Sequence, residues 1–154
     1  MLELWRAGDL RRPVLVLILA AAAMVGASCY STSYSKEVAA NTDLIAGLAD
    51  KLADYCKAGF VVDDRQISSE EMGEFYYALK KARAFAYMRR DDSNRTSYRD
   101  FVALLDRYSA FVHSADQYRI SGQVDSETLA ALTSEHDAVD QAASRVRADL
   151  RSES

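Results

Sequence analysis

His113, His136, Cys29 and Cys56 are the side chains best suited to metal or nucleophile chemistry in this 154-residue sequence. A carboxylate-bridged di-metal bundle needs Glu-x-x-His, because that spacing projects both donors from one face of a helix. The residue three before His113 is Ala110, and the residue three before His136 is Thr133, so the motif is absent. A simpler metal site would have to gather both histidines with carboxylates such as Asp116 or Asp140. His136 instead falls among apolar residues at helical spacing, where a hydrogen-bonded structural histidine is the plainer reading. Met72 and Met88 read as core filler rather than haem ligands. No metal and no cofactor are expected.

Other chemistries fare no better. The segments GFVVDDRQISSEE and DDSNRTSYRD carry oxygen donors. Neither keeps the alternating ligands, central glycine and final glutamate of a calcium loop, so both read as turns with caps. Cys56 lies near an apolar helix face and reads as buried and inert. There is no CxxC pair, no glycine-rich phosphate loop and no HExxH segment. No set of residues supplies an acid, a base and a nucleophile together, and an enzyme is not expected. The net charge of −4, with acidic and basic residues interleaved, argues against a nucleic-acid partner.

Cys29 has a different context. Arg6, Arg11 and Arg12 precede an apolar run from Val14 to Ala27, and no charge occurs between Arg12 and Lys36. A basic flank, an apolar centre and small residues at the end make the pattern of an export signal. The arginines are expected to stay cytoplasmic and the rest of the chain to face outward. As a helix the run would reach about 21 Å, short of the roughly 30 Å hydrocarbon core. Val25-Gly26-Ala27-Ser28-Cys29 resembles the lipobox of bacterial lipoproteins. That resemblance implies cleavage before Cys29, lipidation of its thiol and a membrane-anchored mature chain. Gly26 departs from the branched or leucine residue usual there. Tyr30 after the cysteine, where aspartate would retain a lipoprotein at the inner membrane, implies outer-membrane sorting. Two alternatives stay open, an uncleaved helical anchor and soluble export after ordinary cleavage. All three make the folded part extracytoplasmic.

The elements that would position any site are helices. Pro13 is the only proline, so the long remainder lacks the residue that most strongly breaks helices. Residues 1–28 are assigned to the signal or anchor, 29–35 to a polar tether and 36–151 to a four-helix bundle. The first helix runs from about Lys36 to Lys57 with Val38, Asn41, Ile45, Leu48, Leu52 and Tyr55 on one face, and Gly59 ends it. The second starts at a Ser68/Glu71 capping box, with Met72, Phe75, Leu79, Ala82 and Ala86 as its seam. The third, about Thr96 to Tyr118, presents Tyr98, Phe101, Leu105, Tyr108, Val112 and Ala115, flanked by Leu104, Phe111 and Tyr118. The fourth starts at Asp125 and carries Leu129, Leu132, His136, Val139, Ala143, Val146 and Leu150, with fraying expected after Leu150. The fold class is therefore all-α, a four-helix bundle of two helical hairpins.

Function is then expected from surfaces. Lys80 to Arg90 is rich in basic residues, and tyrosines concentrate on the second and third helices. Tyrosine covers apolar area while keeping a polar tip wet, which suits interfaces. Tyr76 and Tyr77 cannot both face one core. Tyr76, Tyr77, Arg89 and Arg90 are the candidate interaction residues, and Cys29 the candidate lipidation site. The expected role is a membrane-tethered accessory subunit of a cell-envelope assembly, held to the membrane by lipid or helix. It would bind an envelope protein or a second copy through the narrow seam of the fourth helix. The alternative is a periplasmic small-ligand sensor with a void lined by Tyr108, His136 and Asn41.

Overall fold

The structure is a computed structural model describing the backbone of residues 11–122 and 124–153, with side chains from 33 onward apart from 123. Its elements are α1 (Arg11–Lys57), β1 (Val61–Val62), β2 (Arg65–Gln66), α2 (Ser69–Met88), a 3-10 turn (Arg90–Asp92), α3 (Thr96–Ser121) and α4 (Ser126–Ser152). Two compact units divide the chain, Met1–Lys36 and Glu37–Ser154. In the first unit the backbone is helical from Arg11, so helix begins well before Lys36 and takes in the YSTSYS stretch read as a tether. The side chains of the export-signal pattern and of Cys29 lie outside the described residues. Among the described residues, no helix is long and apolar enough to cross a membrane.

The second unit is an all-α four-helix bundle. Cross-helix contacts fix its topology. Lys51 meets Glu74 and Glu37 meets Arg89, so α1 and α2 run antiparallel. Phe85 meets Phe101 and Tyr76 meets Asp116, which makes α2 and α3 antiparallel. Ser97 meets Glu153 and Ser114 meets Glu135 between α3 and α4. Arg147 meets Asp43 and His136 meets Asp50 between α4 and α1. Each helix thus lies beside its neighbours in sequence, and α4 closes the ring on α1, an up-down-up-down arrangement with short connections.

Most of the seams expected on α2, α3 and α4 forms the core, with Phe75, Phe101, Leu104, Tyr108, Phe111, Val112, Val139 and Val146 fully enclosed, while Tyr98, Leu129 and His136 are half-buried. On α1 the buried row is Val38, Thr42, Ile45, Ala49, Leu52 and Cys56, with Ala46 and Ala53 beside it. Asn41, Leu48 and Tyr55, expected on the seam, are only half-buried. The centre of the face is turned toward the small residues Ala46, Ala49 and Ala53. Asn41 meanwhile satisfies its amide on the Glu37 carbonyl of its own helix, at 2.8 Å.

The helix ends are set by local chemistry. The Ser68 hydroxyl accepts from the Glu71 amide at 3.2 Å, and the Glu71 carboxylate accepts from the Ser68 amide at 2.8 Å, the reciprocal capping box. Asp125 caps α4 by accepting from the Thr128 amide at 2.8 Å. After α1, Gly59 takes φ +63°; the Phe60 amide donates to Tyr55 and the Gly59 amide to Cys56, a Schellman motif. Phe60 also sits at φ 60°, costly for a bulky residue, while its ring is 1% exposed. Burial of that ring offsets the strain.

The break GFVVDDRQIS is more ordered than a plain turn. Val61 pairs with Gln66 and Val62 with Arg65, leaving Asp63 and Asp64 as a two-residue loop, both at positive φ. Aspartate tolerates that conformation, and such loops suit the twist of a hairpin. Arg119 anchors the following segment to α3 by donating to the Ile67 carbonyl at 3.3 Å and the Ser69 hydroxyl at 3.4 Å. At the other end of the bundle, Glu153 accepts from the Ser97 amide at 3.0 Å and the Ser97 hydroxyl at 2.6 Å. Helix therefore continues past Leu150 to Ser152, and the expected fraying is replaced by a cap linking the end of α4 to the start of α3.

Candidate functional site

Two surface regions gather chemistry-bearing side chains. The first is the outer face of α2. A helix turns 100° per residue, so positions 77, 81, 84 and 88 form one stripe with 80 and 87 beside it. Tyr77 is 61% exposed, Tyr87 68% and Met88 70%. The Lys81 ammonium lies 5.2 Å from the Tyr77 ring centre, and the Arg90 guanidinium 4.7 Å from that of Tyr87. Cations over aromatic faces hold one another in place, so these long side chains have less freedom left to lose on meeting a partner.

The four candidate interaction residues separate on this surface. Tyr77 and Arg90 belong to the exposed face. Tyr76 is turned toward α3, where its hydroxyl donates to Asp116 at 3.2 Å. Burial and the Asp116 charge both push its phenol up from the ordinary value. Arg89 is half-buried, closes the end of α2 and pairs with Glu37 of α1. Tyr76 and Arg89 thus hold helices together, whereas Tyr87 and Met88 extend the exposed patch. Met88, expected in the core, is instead the exposed last residue of α2.

The second region is a cleft beside α4. A cavity of about 240 Å³ is lined by Ala53, Cys56, Lys57, Phe111, Leu129, Leu132, Thr133, His136 and Asp137. The imidazole of His136 is half-buried, tilted against the Phe111 ring at 5.9 Å, with Nε2 2.9 Å from an Asp50 oxygen. No protein-family model, curated protein or solved structure matches this chain.

The void expected between Tyr108, His136 and Asn41 does not form. Tyr108 is fully enclosed and donates to the Phe75 carbonyl at 3.4 Å, with burial raising its phenol well above the ordinary range. Asn41 bonds within its own helix, which leaves His136 as the one member of the three on the cleft. Cys56 is buried at the cleft's base, and burial pushes its thiol up to about 12. At neutral pH it is a protonated, weakly nucleophilic group. His113 lies apart, exposed on α3 beside Gln117 at 3.0 Å, so the two histidines do not share a site.

Proposed function

We propose that this protein is a membrane-tethered, extracytoplasmic helical bundle serving as an accessory interaction subunit of a cell-envelope assembly. Its docking surface is the outer face of α2. The observation that carries this reading is the cluster of Tyr77, Tyr87 and Met88, each more than half exposed, with Lys81 and Arg90 stacked on the tyrosines. Tyrosine, methionine and arginine are the residue types that concentrate in protein interfaces, and an exposed cluster of them costs solubility unless it is covered. Its positive charge suits an acidic patch on the partner protein. A second copy is a weaker occupant, because the α4 seam that would have joined two copies is consumed inside the bundle: Leu132, Val139, Ala143, Val146 and Leu150 are all buried. A small-ligand role has less support. The cleft falls below the roughly 300–1,000 Å³ usual for such pockets.

The tether rests on the sequence of the first 29 residues, with its basic flank, apolar run and lipobox-like ending. Crosslinking in intact cells, followed by identification of what is captured, tests both parts. The expected result is one dominant acidic envelope protein, captured by the wild type and lost with Tyr77→Ala and with Arg90→Glu. Equal capture by both variants removes α2 as the docking face. Cys29→Ala is expected to shift the protein out of the membrane fraction. Full retention would replace the lipid anchor with a helical one.

A further inference from the structure

We propose that Asp50, His136 and Asp140 bind a single divalent transition-metal ion of the Zn²⁺ type on the surface between α1 and α4. His136 Nε2 lies 2.9 Å from Asp50 Oδ1 and 3.9 Å from Asp140 Oδ2. One donor atom from each residue can be chosen so that all three lie within 4.8 Å of one another. His136 and Asp140 are one helical turn apart, so α4 presents both on one face, and antiparallel α1 supplies the third donor from across the groove.

The geometry is near what a metal requires. A tetrahedral ion with ligands at about 2.0–2.2 Å sets neighbouring donor atoms roughly 3.3–3.6 Å apart. Asp50 has to open slightly and Asp140 to close slightly. Both carboxylates are at least half exposed, at 63% and 50%, and have the rotamer freedom to do so. The imidazole is the fixed member, 16% exposed and braced by the Phe111 ring. Asp137 lies 3.9 Å from its other nitrogen, too far for a hydrogen bond but close enough to add negative charge beside the ring.

The charge balance points the same way. One Nε2 carries at most one proton and can donate it to one carboxylate. Serving Asp50 leaves Asp140 close by as a second acid at the same nitrogen, with Asp137 a third acid on the other side of the ring. The nearby cation Lys57 lines the cleft and is paired with Asp54. A doubly charged ion would be neutralised by Asp50 and Asp140 with a neutral imidazole as third ligand. The nitrogen donor selects zinc-like ions over magnesium and calcium, which prefer oxygen alone. Three protein ligands leave a coordination position for water.

This inference is independent of the docking reading, since it involves neither α2 nor the tether. Calorimetric titration of the purified full chain with ZnCl₂ tests it, with MgCl₂ as the contrasting ion. The expected result is one saturable Zn²⁺ site, no comparable Mg²⁺ binding, and affinity weakened at least about tenfold by Asp50→Asn and by Asp140→Asn. The control Asp54→Asn should bind as the wild type does. Asp50 and Asp140 are exposed, so both variants should keep the wild-type circular dichroism spectrum. Absence of saturable binding below 1 mM Zn²⁺ (on the order of the weakest affinities of interest) would overturn the proposal. So would wild-type affinity in either asparagine variant, or loss of binding only on Cys56→Ser.

Discussion

At the scale of single residues, two carboxyl groups respond to pH in opposite senses. Arg65 binds Glu71 through two hydrogen bonds of 2.8 Å, and the Ser68 amide adds a third. The Arg65 guanidinium first, and the Ser68 amide next, hold the Glu71 carboxyl down to about 2 from an ordinary 4.5. Its folded value lies below its unfolded one, so its contribution is complete above about pH 4.5 and lost as pH falls toward 2. Thermal melts followed by circular dichroism should show the wild type losing stability over that window more steeply than Glu71→Gln; equal slopes would mean the guanidinium contact is absent in solution. Asp149 carries the reverse sign. Burial, then the adjoining Asp100 carboxyl and the Glu153 charge, raise its carboxyl above the ordinary 3.8, and its Oδ2 is buried without a hydrogen bond. A raised folded value favours the fold when the group is protonated and disfavours it once ionised. Asp149→Asn should therefore melt higher than the wild type at pH 7, with the gap closing on acidification.

At the scale of elements, the four glycines among the residues with described surroundings divide into two classes that a substitution series can separate. Gly47 in α1 and Gly73 in α2 are helical, and a Cβ added at either meets nothing within 4 Å. Alanine there reduces the freedom of the unfolded chain, and each change should stabilise by about 0.5–1 kcal/mol in urea titrations. Gly59 and Gly122 sit at φ +63° and +67°, where alanine is strained, and the same change should destabilise by about 1 kcal/mol. Side-chain caps explain why the starts of α2 and α4 were legible. Ser68, Glu71 and Asp125 act on amides three residues away, within reach of sequence reading. The seams of α2, α3 and α4 were legible because large apolar residues recur there at helical spacing. On α1 the alanines that face the core are indistinguishable by type from alanines that face water, so its seam was read slightly off centre. The hairpin at Val61–Gln66 was hidden because its loop uses aspartates at positive φ where glycine or asparagine would have signalled it.

At the scale of the molecule, what the sequence hides is pairing over distance. Asp50 and His136 are 86 residues apart, and nothing in the local pattern of either shows that α4 closes against α1 at that height. Tyr76, 37% exposed, and half-buried Arg89 are each tied to a neighbouring helix by partners, Asp116 and Glu37, that stand 40 and 52 positions away. The same logic governs the end of the chain. Glu153 lies 56 residues from Ser97, and its carboxylate takes both the amide and the hydroxyl at the start of α3 while lying 3.8 Å from the Arg95 guanidinium. A charged acceptor with two donors in a half-buried setting contributes on the order of 2 kcal/mol. Removing it leaves the Ser97 hydroxyl, fully enclosed in the bundle, without that acceptor. Deleting residues 151–154, or making the single change Glu153→Ala, should therefore cost about 2 kcal/mol in denaturant titration, well beyond the few tenths expected of a frayed tail. Hydrogen exchange supplies the spatial test. The loss of protection should appear at the first turn of α3, across the bundle end from the deletion, as well as at the last turn of α4; loss confined to α4 would mean that Glu153 does not cap α3.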